Sequence, residues 1–372
     1  MPPLRLAVIP GDGISPEVTA AAVRVADAAL ALDGAHAVWT SFTWGTEHYL
    51  KHGHTVPEGG LDHLRTFDAI LLGAVGDPRV PDRVTLSELI FPIRREFGLY
   101  LNLRPARLWP GVESPLRARD ASSIDLVVAR ENTEGEYANV GGRLHAGTDA
   151  EVAMQTNVFT RRGCERIMRA AFGLARGRRK LLSSITKSNA QAFSMTLWDD
   201  VFRGVALDYP DVRTESLFVD AAAMDLVRRP AHFDVIVASN LFGDILSDLA
   251  AAVVGGLGMT PSGNINPDRT TPSMFEPVHG SAPDIAGQGV ANPLAAILSV
   301  AMLLDHVGAP GTARRIDRAV EAVLVEGSVR TPDLGGSSGT TDVTDAVVRG
   351  LQQVHTSGAR AAATPTGHGS TA

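Results

Sequence analysis

Residues 238–259 read ASNLFGDILSDLAAAVVGGLGM and follow Phe233 to Val237, a short apolar run with the composition of a buried strand. The stretch reads as a helix that is apolar around most of its surface, yet it carries Asp244 and Asp248 four residues apart. That spacing puts both carboxylates on one side of a helix, one turn apart. Two like charges so placed need a counter-charge. Aspartate oxygens together with substrate oxygens and water suit a hard cation such as Mg²⁺ or Mn²⁺. The spacing also allows a plainer reading, with Asp244 as a cap after Gly243.

Working outward, the same strand-to-helix alternation recurs. Leu6 to Ile9 is followed by GDGIS and a helix from about Pro16 to Leu32, and Ala69 to Leu72 ends in GAVGDP. Ile124 to Ala129 and Val235 to Ala238 repeat the pattern. It predicts an α/β fold with buried strands and a site in the loops at their ends. Residues near 137–160 carry glycine turns and alternating apolar positions, which predict a hairpin or arm at a subunit contact. Asn292 to Val307 reads as a buried helix or one packed in a dimer interface, and the segment from Thr356 as a disordered tail.

With 372 residues the chain has length for about two domains. A net charge of −7 argues against a general nucleic-acid binder. The lone Cys164 rules out a disulfide within the chain and fits a reducing compartment. The N-terminal run enters a strand and a glycine turn directly, so no signal peptide is expected, and no apolar run approaches the ~20 residues of a membrane span.

Several groups could carry chemistry. Gly11-Asp12-Gly13-Ile14-Ser15-Pro16 begins like a dinucleotide fingerprint, but Pro16 replaces the third glycine and Asp12 would repel phosphate. Arg94, Arg95, Arg104 and Arg130 suit a di- or tricarboxylate, because guanidinium forks bind carboxylates in pairs of hydrogen bonds. Tyr137 and Lys187 are candidates for proton transfer. Asp220 follows a strand-like run as a helix cap or a metal ligand. The aperiodic loop FEPVHGSAPDIAG, leading to Ala291-Asn292-Pro293, holds few charges and reads as functional. An aspartate there would bind a ribose 2′-hydroxyl and repel a 2′-phosphate, selecting NAD over NADP.

Together these segments resemble the decarboxylating β-hydroxyacid dehydrogenases, which include isocitrate, isopropylmalate and tartrate/D-malate dehydrogenases. NLFGDILSDLAAAVVGGLGM is similar to the family signature throughout, FEPVHGSAPDIAG and ANP to its nucleotide loop, and TPDLGG (331–336) to its C-terminal segment. RREF, YLNLRPARLWPGVESPL, ARENTEGEY and VFTRRG look like the tartrate/D-malate group. The resemblance covers about residues 4–350.

The resemblance implies an isopropylmalate/isocitrate dehydrogenase-like two-domain α/β fold with a mixed sheet, not a Rossmann fold. Residues 1–101 and 255–355 would form the larger, cofactor-binding domain. Residues 102–254 would form a smaller domain with the metal site, the dimer interface and the arm, followed by the tail at 356–372. Arg94, Arg104 and Arg130 match the arginines that hold substrate carboxylates. Tyr137, Lys187 and Asp220 match the catalytic set, and Asp220, Asp244 and Asp248 the metal ligands. Ile14, Asn189, Glu276, His279, Gly280, Ser281, Ala282, Asp284, Ile285 and Asn292 match cofactor contacts. Lys187, Asn189 and Asp220 are expected from the partner chain of a homodimer that shares its sites.

The implied cofactors are NAD and Mn²⁺ or Mg²⁺, with a monovalent cation left open. The implied reaction is oxidative decarboxylation of a (2R)-2-hydroxy dicarboxylate, D-malate or tartrate, in the cytoplasm, with no nucleic-acid or membrane partner. Leu89, Phe91 and Pro92 are unusual for this group and lie where specificity is set, which keeps 3-isopropylmalate as an alternative. A metal-dependent hydrolase or a silent regulatory subunit is the reading from another class. The nucleotide loop argues against the first, and the retained Lys187, Tyr137 and aspartates against the second.

Overall fold

The computed structural model describes residues 3–117 and 123–363. Its strands are β1 (Leu4–Ile9), β2 (Ala37–Ser41), β3 (Ala69–Leu72), β4 (Leu101–Arg107), β5 (Asp125–Glu131), β6 (Gly135–Leu144), β7 (Val152–Val158), β8 (Leu181–Thr186), β9 (Arg213–Phe218), β10 (Val235–Ala238), β11 (Pro261–Ile265) and β12 (Ser273–Pro277). Ten of them form one sheet in the order β2-β1-β3-β12-β11-β4-β5-β10-β8-β9. Its outer parts are parallel, and β12-β11-β4-β5 in the middle is antiparallel. This mixed order is the expected fold class and differs from the all-parallel sheet of a dinucleotide-binding unit.

The strand reading held because these strands are covered on both faces. Every residue of β3 (AILL), β8 (LLSSIT) and β10 (VIVA) is buried, so no polar alternation marks an exposed side. One core packs the helices Ser15–Ala31, Leu294–His306 and Pro310–Glu326 against one face of the β1–β3–β12 half. A second packs Phe42, Trp44, Phe67 and Phe97 on the opposite face. A third lies around β5, β8 and β10, under the helices Arg161–Arg176, Ser194–Ala206 and Asn240–Val253.

The halves meet where β11 pairs with β4, and buried asparagines take over from apolar side chains there. Asn264 Oδ1 accepts from Asn102 at 3.2 Å and from Asn132 at 2.8 Å, while Asn264 Nδ2 donates to Glu276 at 2.8 Å. Buried amides are tolerated when they satisfy one another, and this chain of bonds leads from the middle of the sheet to the cavity described below.

The strands β6 and β7 pair as a separate hairpin, with Val140, Leu144, Val152 and Met154 exposed. One expectation is corrected. The final helix, Thr340–Ala363, continues past Thr356, where a disordered tail was expected. Ala359 and Ala361 to Ala363, with Arg360, are strong helix formers that a reading weighted to serine and glycine undervalued. The rest of that tail, 364–372, lies outside the described residues.

Candidate active site

Neighbouring strands deliver the arginines. Arg104 projects from β4, and Arg130 from the end of β5 beside it. The helix Asn240–Val253 follows β10, the next strand, and lies against both. Its close approach requires Gly243, since a Cβ there would stand 2.7 Å from the Cβ and Cγ of Arg130. The side chains of Arg104 and Arg130 are only 9% and 3% exposed, so their charges need partners.

The helix supplies them. Arg104 Nη1 donates to Asp244 Oδ1 at 3.1 Å, Ser247 Oγ at 2.8 Å and Asp248 Oδ1 at 3.3 Å. Arg130 Nη1 bonds Asp244 Oδ1, and its Nε and Nη2 donate to Asn240 Oδ1 at 3.1 and 2.8 Å. The Tyr137 hydroxyl donates to Asp244 Oδ2 at 3.2 Å. Arg94, from the helix Phe91–Glu96, donates to Glu276 at 3.0 Å. Arg95 bonds the Tyr137 carbonyl at 3.1 Å.

Several of these groups line one cavity of about 450 Å³, while Asp248 lies outside its lining. Arg94, Arg104, Arg130, Tyr137 and Asp244 form one side, and the Glu276–Gly280 loop faces them. Ala74, Val75, Leu86, Ile90 and Phe91 complete the wall. Leu86 and Ile90 are additions to the sequence reading. A five-residue π-helical turn over Leu86–Ile90, closed by Phe91 N–H on Leu86 O, brings Leu86, Ile90 and Phe91 to the cavity. Leu89, expected where specificity is set, points into the core with Ile93 and Phe97 instead. Pro92 starts the following helix and is absent from the lining.

The electrostatics assign protonation states. Burial raises the pKa of Asp244, but the charges of Arg130, Arg104 and Arg94 outweigh it and leave the carboxyl below its ordinary value. Burial, reinforced by Asp244, holds Asp248 above its ordinary value. Burial and then Asp244 raise the Tyr137 phenol, which keeps its proton. Burial, with Arg104 and Arg94 close by, pushes Arg130 down, so this guanidinium depends on its acceptors.

The acids suit a cation. Asp244 and Asp248 already direct carboxylate oxygens at one cationic nitrogen, that of Arg104. Asp220 is elsewhere in the chain. It follows β9 and takes a 2.7 Å bond from Lys187, which follows β8, the parallel neighbour of β9. Lys187 lowers the pKa of Asp220. Neither residue lines the cavity, nor does Asn189 in the same turn as Lys187. Among the described residues of a single chain, no three acidic, histidine or cysteine side chains converge as a metal site.

The loop after β12 has the features of a ligand cradle. His279 Nδ1 bonds Gly280 O at 2.9 Å, and its Nε2 is buried without a protein partner, although the ring lines the cavity. Burial lowers its pKa, so the free nitrogen is an acceptor that a ligand could fill. Ile14 N–H donates to Ser281 O at 2.8 Å, and a Cβ on Gly13 would meet that oxygen at 1.9 Å. Ala282 sits at φ +39°, and Asp284 and Ile285 follow in the turn Pro283–Ile285. Asn292 donates to Asp333 at 2.9 Å and ties the loop to TPDLGG. Asp12, which spoiled the fingerprint, accepts from Thr46 Oγ1 at 2.7 Å and Gly76 N–H at 2.8 Å, so it fastens two loops together.

Residues 5–347 match the family described as isocitrate/isopropylmalate dehydrogenase. A probable tartrate dehydrogenase/decarboxylase of Bacillus subtilis (strain 168) is 48% identical, over 95% of this chain and 99% of its own length. A D-malate dehydrogenase (decarboxylating) of Escherichia coli (strain K12) is 48% identical over 94% and 99% of the two chains. Among solved structures, an isocitrate dehydrogenase from Methylococcus capsulatus superposes with a TM-score of 0.86 at 39% identity, covering 94% of this chain and 100% of that one.

Proposed function

This chain belongs to the isocitrate/isopropylmalate dehydrogenase family, and from that premise we propose that it catalyses oxidative decarboxylation of a (2R)-2-hydroxy dicarboxylate, D-malate first and tartrate second, with NAD and Mn²⁺ or Mg²⁺. The observation that carries this reading is the shared cavity, in which Arg94, Arg104, Arg130, Tyr137 and Asp244 face the Glu276–Gly280 loop.

Arg94, Arg104 and Arg130 take the substrate carboxylates in exchange for Glu276, Asp248 and Asp244, their present partners. Asp244 and Asp248, with the partner subunit's Asp220, would hold the divalent cation, which when bound draws charge from the substrate's hydroxyl and later its 2-oxo oxygen. The loop from Glu276 to Asn292 would hold NAD, whose nicotinamide would supply the acceptor for the C2 hydride, and Asp284 would bond its ribose hydroxyl. The partner subunit's Lys187 accepts the hydroxyl proton. Loss of the β-carboxylate as CO₂ leaves an enol, and Tyr137, kept protonated by burial and Asp244, donates a proton to its carbon. D-Malate and NAD⁺ thus give pyruvate, CO₂ and NADH.

The reading includes a homodimer in the cytoplasm. Val140, Leu144, Val152 and Met154 on the hairpin, and Met224, Val227 and Ile245 on the helices Val219–Arg228 and Asn240–Val253, offer an exposed apolar surface for a second copy. The lone Cys164 is buried and fits a reducing compartment, and among the described residues no helix is long and apolar enough to cross a membrane.

The apolar Leu86, Ile90 and Phe91 support D-malate ahead of tartrate, because the 3-hydroxyl of tartrate would lose water against such a wall. The same wall supports a second reading, 3-isopropylmalate, whose alkyl group it would cover. A panel of D-malate, L- and meso-tartrate, 3-isopropylmalate and isocitrate, each with NAD⁺ or NADP⁺ and Mn²⁺, decides by absorbance at 340 nm. D-Malate with NAD⁺ should turn over fastest. Isopropylmalate far ahead of D-malate would move the chain to the second reading, and no turnover of any would end the dehydrogenase proposal.

A further inference from the structure

The Arg130 guanidinium is held in an unusual way. Its Nε–Nη2 edge, the fork that normally takes a carboxylate, is filled by a neutral amide, Asn240 Oδ1. The acceptor is firmly placed. Asn240 is 3% exposed and is the first residue of its helix. Its Nδ2 donates to Glu134 O at 3.0 Å, which fixes which end of the amide faces the arginine. Glu136 anchors the same helix end, accepting from Ser239 Oγ at 2.8 Å and Leu241 N–H at 3.0 Å. Gly243 lets the helix press directly on the arginine stem.

We propose that Asn240 is a positioning residue for Arg130: a neutral acceptor that holds the Nε–Nη2 edge and turns the Nη1 side to Asp244 and the cavity, without adding a second negative charge to that of Asp244. A carboxylate at position 240 would fill the same fork but leave Arg130 between two negative charges, its own and that of Asp244, and so weaken its pull on a substrate carboxylate. The inference rests on the reading that Arg130 binds a substrate carboxylate.

Asn240→Asp tests it, being nearly isosteric. With the best substrate of the panel, its KM for the dicarboxylate should rise about tenfold, while the KM for NAD⁺ stays within about twofold of wild type. In an Arg130→Met background the same change should add less than about twofold, because the group it acts through is gone. A dicarboxylate KM unmoved by Asn240→Asp, while Arg130→Met raises it, would overturn the proposal. So would an Asn240→Asp effect of full size in the Arg130→Met background. If Arg130→Met itself leaves the dicarboxylate KM unchanged, the reading of Arg130 falls, and the positioning role with it. Thermal unfolding checks that each variant is folded. Should Asn240→Asp not fold, Asn240→Ser, which keeps an acceptor too short to bridge the fork, should show a smaller rise that also vanishes with Arg130→Met, and no rise would overturn the proposal.

Discussion

Two charged clusters of this molecule are built in opposite ways. Around Asp244 the arginines are buried and each is paired with an acceptor within the chain, while the Nε groups of Arg94 and Arg104 are buried without one. Lys187 and Asp220 form a single pair toward the β9 edge of the sheet, the aspartate side chain 69% exposed, and neither lines the cavity. The first cluster is buried and mostly paired within itself. The second lies outside the cavity with its aspartate exposed, and the proposed function assigns it to a site in another copy. On the proposed reading, the difference is that between groups that line a site in their own chain and groups offered to a second copy.

The largest test of this contrast separates the clusters between chains. Lys187→Met and Asp244→Asn should each lose roughly a hundredfold or more in turnover. In a mixed population, heterodimers carry one site with both native groups. About a quarter of the wild-type activity should therefore return if the sites are shared across a two-fold interface. No recovery in verified heterodimers would place each site within one chain.

Next in size, the Mn²⁺ concentration for half-maximal activity should rise at least roughly tenfold in Asp244→Asn. An unchanged metal titration would remove Asp244 from the metal set. Stability should separate the clusters as well. Glu136→Ala leaves Ser239 Oγ and Leu241 N–H without their buried acceptor and should cost about 1–3 kcal/mol in denaturant unfolding, whereas Asp220→Asn should leave the midpoint unchanged. Equal losses would erase the distinction between a built site and a presented one.

The smallest effect lies in pH. The pKa of Asp244 is lowered in the fold, so its contribution to stability is present above the unfolded value and lost as pH falls through the folded one. The pKa of Asp248 is raised, so its contribution is present at low pH and lost as pH rises through the folded value. Unfolding temperatures of Asp244→Asn and Asp248→Asn between acid and neutral pH should therefore deviate from wild type in opposite senses at neutrality, Asp244→Asn downward and Asp248→Asn upward. Parallel curves would contradict the unequal arginine cover of the two acids.

Much of this was legible in the chain. Buried strands, the helix after β10, the hairpin and the loop after β12 followed from short apolar runs and glycine punctuation. The failure of the first glycine turn as a phosphate loop was legible too, since Asp12 is a local feature; that it ties Thr46 to Gly76 was not. Of Leu89, Phe91 and Pro92, expected where specificity is set, only Phe91 lines the cavity. Leu89 is in the core, because a π-helical turn changes the usual 3.6-residue phase and brings Leu86 and Ile90 to the cavity beside Phe91. No spacing rule announces such a turn.

By itself the sequence determined that Asp244 and Asp248 share one side of a helix, because helix geometry is local and repeats every turn. It also determined, through apolar runs, which segments are buried. Only the tertiary structure decided what those carboxylates face. That depends on β4, β5 and β10 lying side by side, on Gly243 letting the helix touch Arg130, and on Asn240 filling the guanidinium fork. Those contacts join residues more than a hundred positions apart, and charge pairing acts through space, where chain order has no say.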